Sequence, residues 1–214
     1  MMTYSTLCAL VLLGSGLLTF TACDKNDPES CTSSVVPVPA DTYVFPIVPG
    51  TPAWATFQTG AEMVAACQLP AATLPRISTA GLVATCLTYP LLGNMLAANS
   101  LQRGTRAQLA NFNGFGELQQ RPQAAALLLE RYQQMRPACL PEKKQAGDWG
   151  AYTFEFMYLE MILAQEEYLA QLSSRERRSL VREALTTYAE KQRHGDVYGV
   201  LGYMTTAFVM ARVM

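Results

Sequence analysis

Histidine occurs once in this chain of 214 residues, and no two of its six cysteines stand at CxxC spacing. The first absence excludes multi-histidine metal centres, and the second leaves little ground for a zinc ribbon or a thiol-redox motif. Charge is scarce as well. Asp, Glu, Lys and Arg make up 15% of the residues, against roughly a quarter in an average soluble domain. A net charge of −1 provides no attractive field for nucleic acid, so no nucleic-acid partner is expected. Strand-like alternation is missing too. So is any apolar run of the roughly 20 residues needed to span a bilayer. What is present is a hydrophobic content of 50%, too high for a disordered chain and suited to one ordinary domain.

The first 23 residues read MMTYSTLCALVLLGSGLLTFTAC. The apolar stretch Leu7–Leu18 has the length of a signal-peptide core, although no Lys or Arg precedes it. It ends at Phe20-Thr21-Ala22-Cys23. Small residues before a Cys resemble the bacterial lipobox, in which the Cys thiolate receives diacylglycerol as a thioether and becomes the new N-terminus. Phe20 departs from the Leu usual at its position. Residues 1–22 are therefore expected to be a lipoprotein signal peptide and Cys23 the lipidation site. Two or more acyl chains there would anchor the chain to a membrane. The competing expectation is a secreted protein cut nearby, with Cys23 in a disulfide.

Residues 24–54 follow as a charged, proline-rich segment. Asp24, Lys25, Asp27 and Glu29 crowd its start, and Pro28, Pro37, Pro39, Pro46, Pro49 and Pro52 are six of the twelve prolines. Such proline density excludes helix. Residues 24–40 read as a solvated tether. Tyr43, Phe45, Ile47 and Trp54 are too apolar for a free linker and are expected to lie extended against a domain spanning 55–214.

From Thr59 onward the periodicity is helical. A short helix covers Glu62–Cys67. Ser78 or Thr79 caps a helix through Leu82, Val83, Cys86 and Leu87, which stops before Pro90. Helices are expected over Leu91–Ala98 and over Leu101–Phe112, the latter closing at Asn113-Gly114. Another runs from Pro122 to Met135. After the polar loop 136–150 come Tyr152–Leu172 and a helix opened by the capping box Ser173–Glu176. That helix should bury Leu180, Val181, Ala184, Leu185 and Tyr188. The last helix, Val197–Val213, carries no charge before Arg212 and reads as a buried core helix rather than a membrane span. The fold class is thus all-α, an irregular multi-helix array or short αα-superhelix.

The succession YVFPIVPGTPAW, EMVAACQLP, ISTAGLVATCLTYPLL, NMLAANSLQRG, NFNGFGELQQR and TTAFVMARVM resembles a family of helical exported lipoproteins common among Bacteroidota. The likeness covers about residues 43–135 and 196–214. It implies an all-helical domain and an exported address, but no established activity and no catalytic residue. The charges after Cys23 resemble surface-export signals of such lipoproteins; in enterobacteria Asp at this position instead favours inner-membrane retention. The resemblance points to the outer membrane, on its periplasmic or surface face.

Candidate chemistry is sparse. Cys31, Cys67, Cys86 and Cys139 could pair in three ways; Cys67 and Cys86 lie on apolar helical faces and are expected to be buried thiols. His194 sits at a helix C-terminus, where a cation complements the dipole. Between Asp148 and Glu167 stand five acids and no base. Glu155 and Glu160, among aromatics, are the candidate acids for a hydrolase, since an apolar setting can raise a carboxyl pKa. Five helical residues turn about 140°, so the two do not share a face. Glu160 and Glu167 share one and read as a solvated stripe. Arg175, Arg178 and Arg182 form a basic stripe flanked by Glu176, Glu183 and Glu190. Gly114 and Gly116 make a lone GxG with no strand before it, which does not support phosphate binding. No metal or cofactor is expected. The functional expectation is a lipid-anchored, non-enzymatic interaction module of the cell envelope, with an envelope protein or glycan as partner. The alternative is an envelope hydrolase of glycan or peptide using Glu155 or Glu160.

Residues 63–116 carry only Arg76, Arg103 and Arg106 and no acid at all. Either their helices are buried on more than one side, or this half keeps an uncharged face for a partner.

Overall fold

A computed structural model describes residues 37–140 and 148–214. The expected signal peptide, lipidation site Cys23 and Cys31, with most of the tether, lie outside the described residues. Within them the chain is all-helical, with no strand. Its α-helices are α1 (Gly60–Ala66), α2 (Thr79–Leu87), α3 (Leu101–Asn111), α4 (Asn113–Gln119), α5 (Ala124–Gln134), α6 (Asp148–Leu163), α7 (Glu166–Leu169), α8 (Ser174–Arg193) and α9 (Gly195–Val213). Two 3-10 turns cover Trp54–Thr56 and Leu92–Ala97. None of the described helices is long and apolar enough to cross a membrane.

The helix starts follow local side-chain chemistry. Thr59 and Ser173 form capping boxes with Glu62 and Glu176, and Ser78 and Ser100 accept from the amides of Gly81 and Arg103. Each cap satisfies donors that the first helical turn leaves without partners.

Helix α2 lies at the centre of the first half. Gly81 through Leu87 are all buried, as expected of a helix apolar on every side. It packs against α4 and α5, and the N-terminal segment crosses its other face. There the Tyr43 amide donates to Thr85 Oγ1 at 2.9 Å. Phe45 is buried in an aromatic group with Tyr89 and Phe112. Tyr89 stacks on Phe112 with ring centroids 4.3 Å apart, and Phe115 meets Phe112 edge-on. In the second half α9 packs chiefly on α8 and α6.

Several expected boundaries shift, each for an identifiable reason. Asn113-Gly114 does not terminate a helix in left-handed geometry, since no positive φ occurs there. The chain turns at Phe112, which is extended (φ −119, ψ 121), and α4 begins at once. The Asn113 carboxamide bonds both the N–H and the C=O of Leu69, so it serves a tertiary contact instead of a stop. Residues 152–172 do not form one helix. Gln165 is extended (φ −76, ψ 146), and its carboxamide pairs with Gln102 while also donating to Met161 O at 2.6 Å. A side chain competing for the backbone in this way breaks a helix. The last helix is also kinked: Gly199 has φ 57 and ψ −170, a conformation open essentially to glycine alone. Residues 92–97 form a 3-10 turn rather than an α-helix.

The far end of the expected tether, from Pro37 onward, belongs to the folded domain. Pro37 and Pro39 lie over Ala80, Val83 and Leu127, lining one shallow pocket with them.

Candidate functional site

The two candidate acids occupy unlike environments. Glu155 is ion-paired with Arg131 and about one third exposed. Glu160 has no exposed surface, which corrects the expectation of a solvated stripe shared with Glu167. Glu167 lies partly exposed and ion-paired with Arg106.

Glu160 is the centre of a buried polar cluster drawn from four helices. Lys191 of α8 donates to both carboxylate oxygens at 2.9 Å. Thr205 and Thr206 of α9 donate at 2.5 and 2.7 Å, and Tyr132 of α5 at 3.0 Å. Lys191 is fully buried as well. It donates further to Gly202 O and Thr206 Oγ1 and stands 4.8 Å from the centroid of the Phe156 ring. Burial pushes the Lys191 pKa down, and the Glu160 carboxylate opposes that shift. Every lone pair and proton of the couple has an assigned partner, the condition under which a buried ion pair is tolerated. Burial also pushes the Tyr132 phenol up, aided by the charge of Glu160. This arrangement orients four helices against one another; it leaves the carboxylate no free position for a reacting atom.

Sequence reading missed Lys191, which it grouped with the polar end of its helix. The signal was in the spacing. Leu180, Ala184, Thr187 and Lys191 follow i, i+4, i+7, i+11 and form the inward face, joined by Glu190. The expected face included Leu185, which is 57% exposed, with Val181 and Tyr188 only half-buried. The face is rotated because Lys191, held by its buried partners, belongs to it.

The remaining candidates resolve simply. His194 caps the C-terminal end of α8, its N–H donating to Lys191 O. Cys67 and Cys86 are buried free thiols, their pKa values raised by burial, and Cys139 is disulfide-bonded. Among the described residues no group of His, Cys, Asp and Glu could hold a metal. On α8, Glu176 is spent in the capping box and Glu183 faces Arg136. Arg178 and Arg182 flank Leu185 and Val213 in an open shallow depression.

The feature with binding character lies in the charge-poor half. A groove of about 580 Å³ runs between α1 and the pair formed by α3 and the 3-10 turn Leu92–Ala97. Its lining includes Met63, Val64, Leu91, Asn94, Gln108 and Asn111, and no charged residue. The walls are fixed by other carboxamides. Gln68, at the end of α1, donates to Asn111 O at 2.9 Å and accepts from the Asn113 amide. The 3-10 turn is pressed onto α3 at Gly104, where a Cβ would stand 2.0 Å from Met95 O. That close approach holds the turn that carries Asn94 against the helix that carries Gln108, and both residues line the groove.

Three carboxamides on this surface, those of Asn94, Gln108 and Asn111, have no hydrogen-bond partner among the described residues. Asn94 and Asn111 are exposed to water. Gln108 is largely covered by its neighbours, but its carboxamide is not one of the buried polar groups left without a partner, so its polar end opens on the groove.

The chain matches no family model, no curated protein and no solved structure.

Proposed function

We propose that this protein is a lipid-anchored, non-enzymatic interaction module of the bacterial cell envelope, and that the uncharged groove between α1 and α3 is its contact surface. The observation that carries the binding role is the lining of the groove, which holds no charge and carries the carboxamides of Asn94, Gln108 and Asn111, none of them hydrogen-bonded among the described residues. Their donors and acceptors are open to a ligand. The anchor is supported by the small residues preceding Cys23, the apolar stretch before them and the charged, proline-rich segment after them. The resemblance to exported helical lipoproteins of Bacteroidota points to the same outer-membrane address. The engagement of Glu160 and Glu155 by Lys191 and Arg131 favours a binding role over a hydrolase.

Two measurements in the native host test this reading. Metabolic labelling with an alkyne fatty acid should mark the protein and be abolished by Cys23→Ala. A photo-crosslinking residue at the exposed groove position Ala61 should give a discrete, reproducible envelope adduct. Absence of label refutes the anchor, and absence of any adduct refutes the contact surface.

A further inference from the structure

Uncompensated positive charge collects on the outward face of α8. Arg175, Arg178 and Arg182 are exposed, and none of them enters an ion pair among the described residues. The acids interleaved with them in the sequence are all turned elsewhere. Glu176 closes the capping box on Ser173, Glu183 reaches Arg136, and Glu190 is buried. The three arginines follow i, i+3 and i+7 and so share one face. Leu185, three residues beyond Arg182, continues that face as an exposed apolar side chain. Arg178 and Arg182 border a shallow depression of about 440 Å³ floored by Val181, Leu185 and Val213. Arg177 lines it too, with its guanidinium committed to the carbonyls of Leu169 and Leu172.

We propose that this face docks on a membrane surface containing anionic phospholipid. Arg178 and Arg182 take lipid phosphates, and Leu185 enters among the first methylenes of the acyl chains. The inference goes beyond the groove between α1 and α3, and it rests on the proposed anchor only for local concentration. Charge complementarity selects an anion, and a planar guanidinium matches phosphate in bidentate geometry. The donor inventory selects lipid over an acidic polypeptide. The side chains lining the depression offer N–H donors and apolar surface but no acceptor. A polypeptide or a glycan would bring N–H or O–H groups that find no partner there. The phosphodiester and acyl-ester groups of a phospholipid only accept, and they pass directly into methylenes. Arginine stems lie along such methylenes while their heads stay at the level of the phosphates. Basic and apolar side chains together on one exposed helix are the composition of interfacial helices.

The test places Leu185→Trp in the full chain and mixes it with vesicles of phosphatidylcholine, alone or in an equal mixture with phosphatidylglycerol. Both lipids carry bromine on the acyl chains near the headgroup. Local quenching is the readout, because a lipid anchor by itself would bring the chain to any vesicle. The chain's own two tryptophans are subtracted with the unsubstituted protein. The introduced indole should be quenched in the mixed vesicles. Adding Arg178→Gln and Arg182→Gln should lower the docked-to-undocked ratio about tenfold or more, since each basic side chain at an anionic surface contributes about fivefold. High salt should weaken docking in the same direction, and circular dichroism should show all variants folded. The proposal is overturned if the indole is unquenched in the mixed vesicles, if phosphatidylcholine alone quenches it equally, or if the two arginines are removed without effect. It is also overturned if polyglutamate, without vesicles, shields the indole from acrylamide better than the mixed vesicles do, which would make the face a site for an acidic protein. Fatty-acid labelling reads the anchor separately: quenching that persists in a chain without label removes the anchor and supports this face.

Discussion

Replacing Lys191 by Met removes the only cation among the described residues that contacts the buried Glu160 carboxylate and leaves the methylene stem in place. The carboxylate would keep the hydroxyls of Tyr132, Thr205 and Thr206 but lose charge-assisted bonds at both oxygens. Breaking one half of a buried ion pair costs about 3–5 kcal/mol, because the remaining charge loses its counter-ion and gains no water in exchange. Against a total stability of about 5–15 kcal/mol for a domain, that is a large share. The double variant Glu160→Met/Lys191→Met removes both charges. Thr205 and Thr206 still reach Gly202 O at 3.2 and 3.1 Å, leaving the Tyr132 hydroxyl as the main loss, at about 1–3 kcal/mol. The expected order is therefore unusual: two substitutions hurt less than one. Urea unfolding followed by circular dichroism measures both values, with unchanged slopes as the check that the unfolded state is comparable. If Lys191→Met costs under about 1 kcal/mol, or the double variant is the sum of the singles, the pair does not hold the helices as described.

Three further outcomes are expected. Gly104→Ala should cost about 3 kcal/mol, the upper end of overpacking penalties, because the new Cβ meets backbone at Met95; a near-neutral change in the same assay would refute the close approach. Alkaline pH should destabilise the fold. Burial pushes Tyr89 and Tyr152 up to about 12 and raises Tyr132, Tyr168 and Tyr198 as well. Their stabilisation is complete below the unfolded value near 10 and is lost as pH rises through the folded values, at up to about 1.4 kcal/mol per pH unit for each phenol. Tyr158 is raised by burial too, and Lys191, with its lowered pKa, acts with the opposite sign as one group against six phenols. Phenolate absorbance should rise cooperatively with unfolding, and independent titration near pH 10 would count against it. Finally, Cys67 and Cys86, buried with raised pKa values, should resist thiol reagents until the protein is denatured; rapid labelling of the native protein would contradict their burial.

The elements that sequence reading located well are those with local chemistry. The Ser78 cap and the stop before Pro90 delimit α2, and the Ser173–Glu176 box opens α8, because caps and prolines act within one turn. Elements decided at long range were misread. Asn113 looked like a helix stop, yet its carboxamide is committed to Leu69. Gln165 looked helical, yet it is pulled out of helix by Gln102, far away in sequence. The inward position of Lys191 was masked because a charged residue on a core face is legible only once its counter-ion is placed. The groove was visible as a question alone. The missing charge between residues 63 and 116 has both of the origins considered: α2 is buried on all sides, and the surface between α1 and α3 is open and neutral. Composition could not separate the two, because burial and an uncharged face leave the same trace in a sequence.

The N-terminal segment gains a mechanical meaning from its contacts. The Asp41 carboxylate accepts from the Ser78 amide at 2.6 Å and from the Ser78 hydroxyl, bonds that hold the Asp41 carboxyl below its usual range. Two residues on, Tyr43 is tied to Thr85, and Phe45 is wedged into the aromatic core. A domain held at that end alone is tugged along this strand whenever it is displaced. The load meets three successive grips, the first two on the same central helix, one at its cap and one nearly two turns in. Traction is thereby spread along α2 in shear instead of peeling residues from the core one at a time. The segment is thus spliced into the domain's central helix rather than merely attached to its rim.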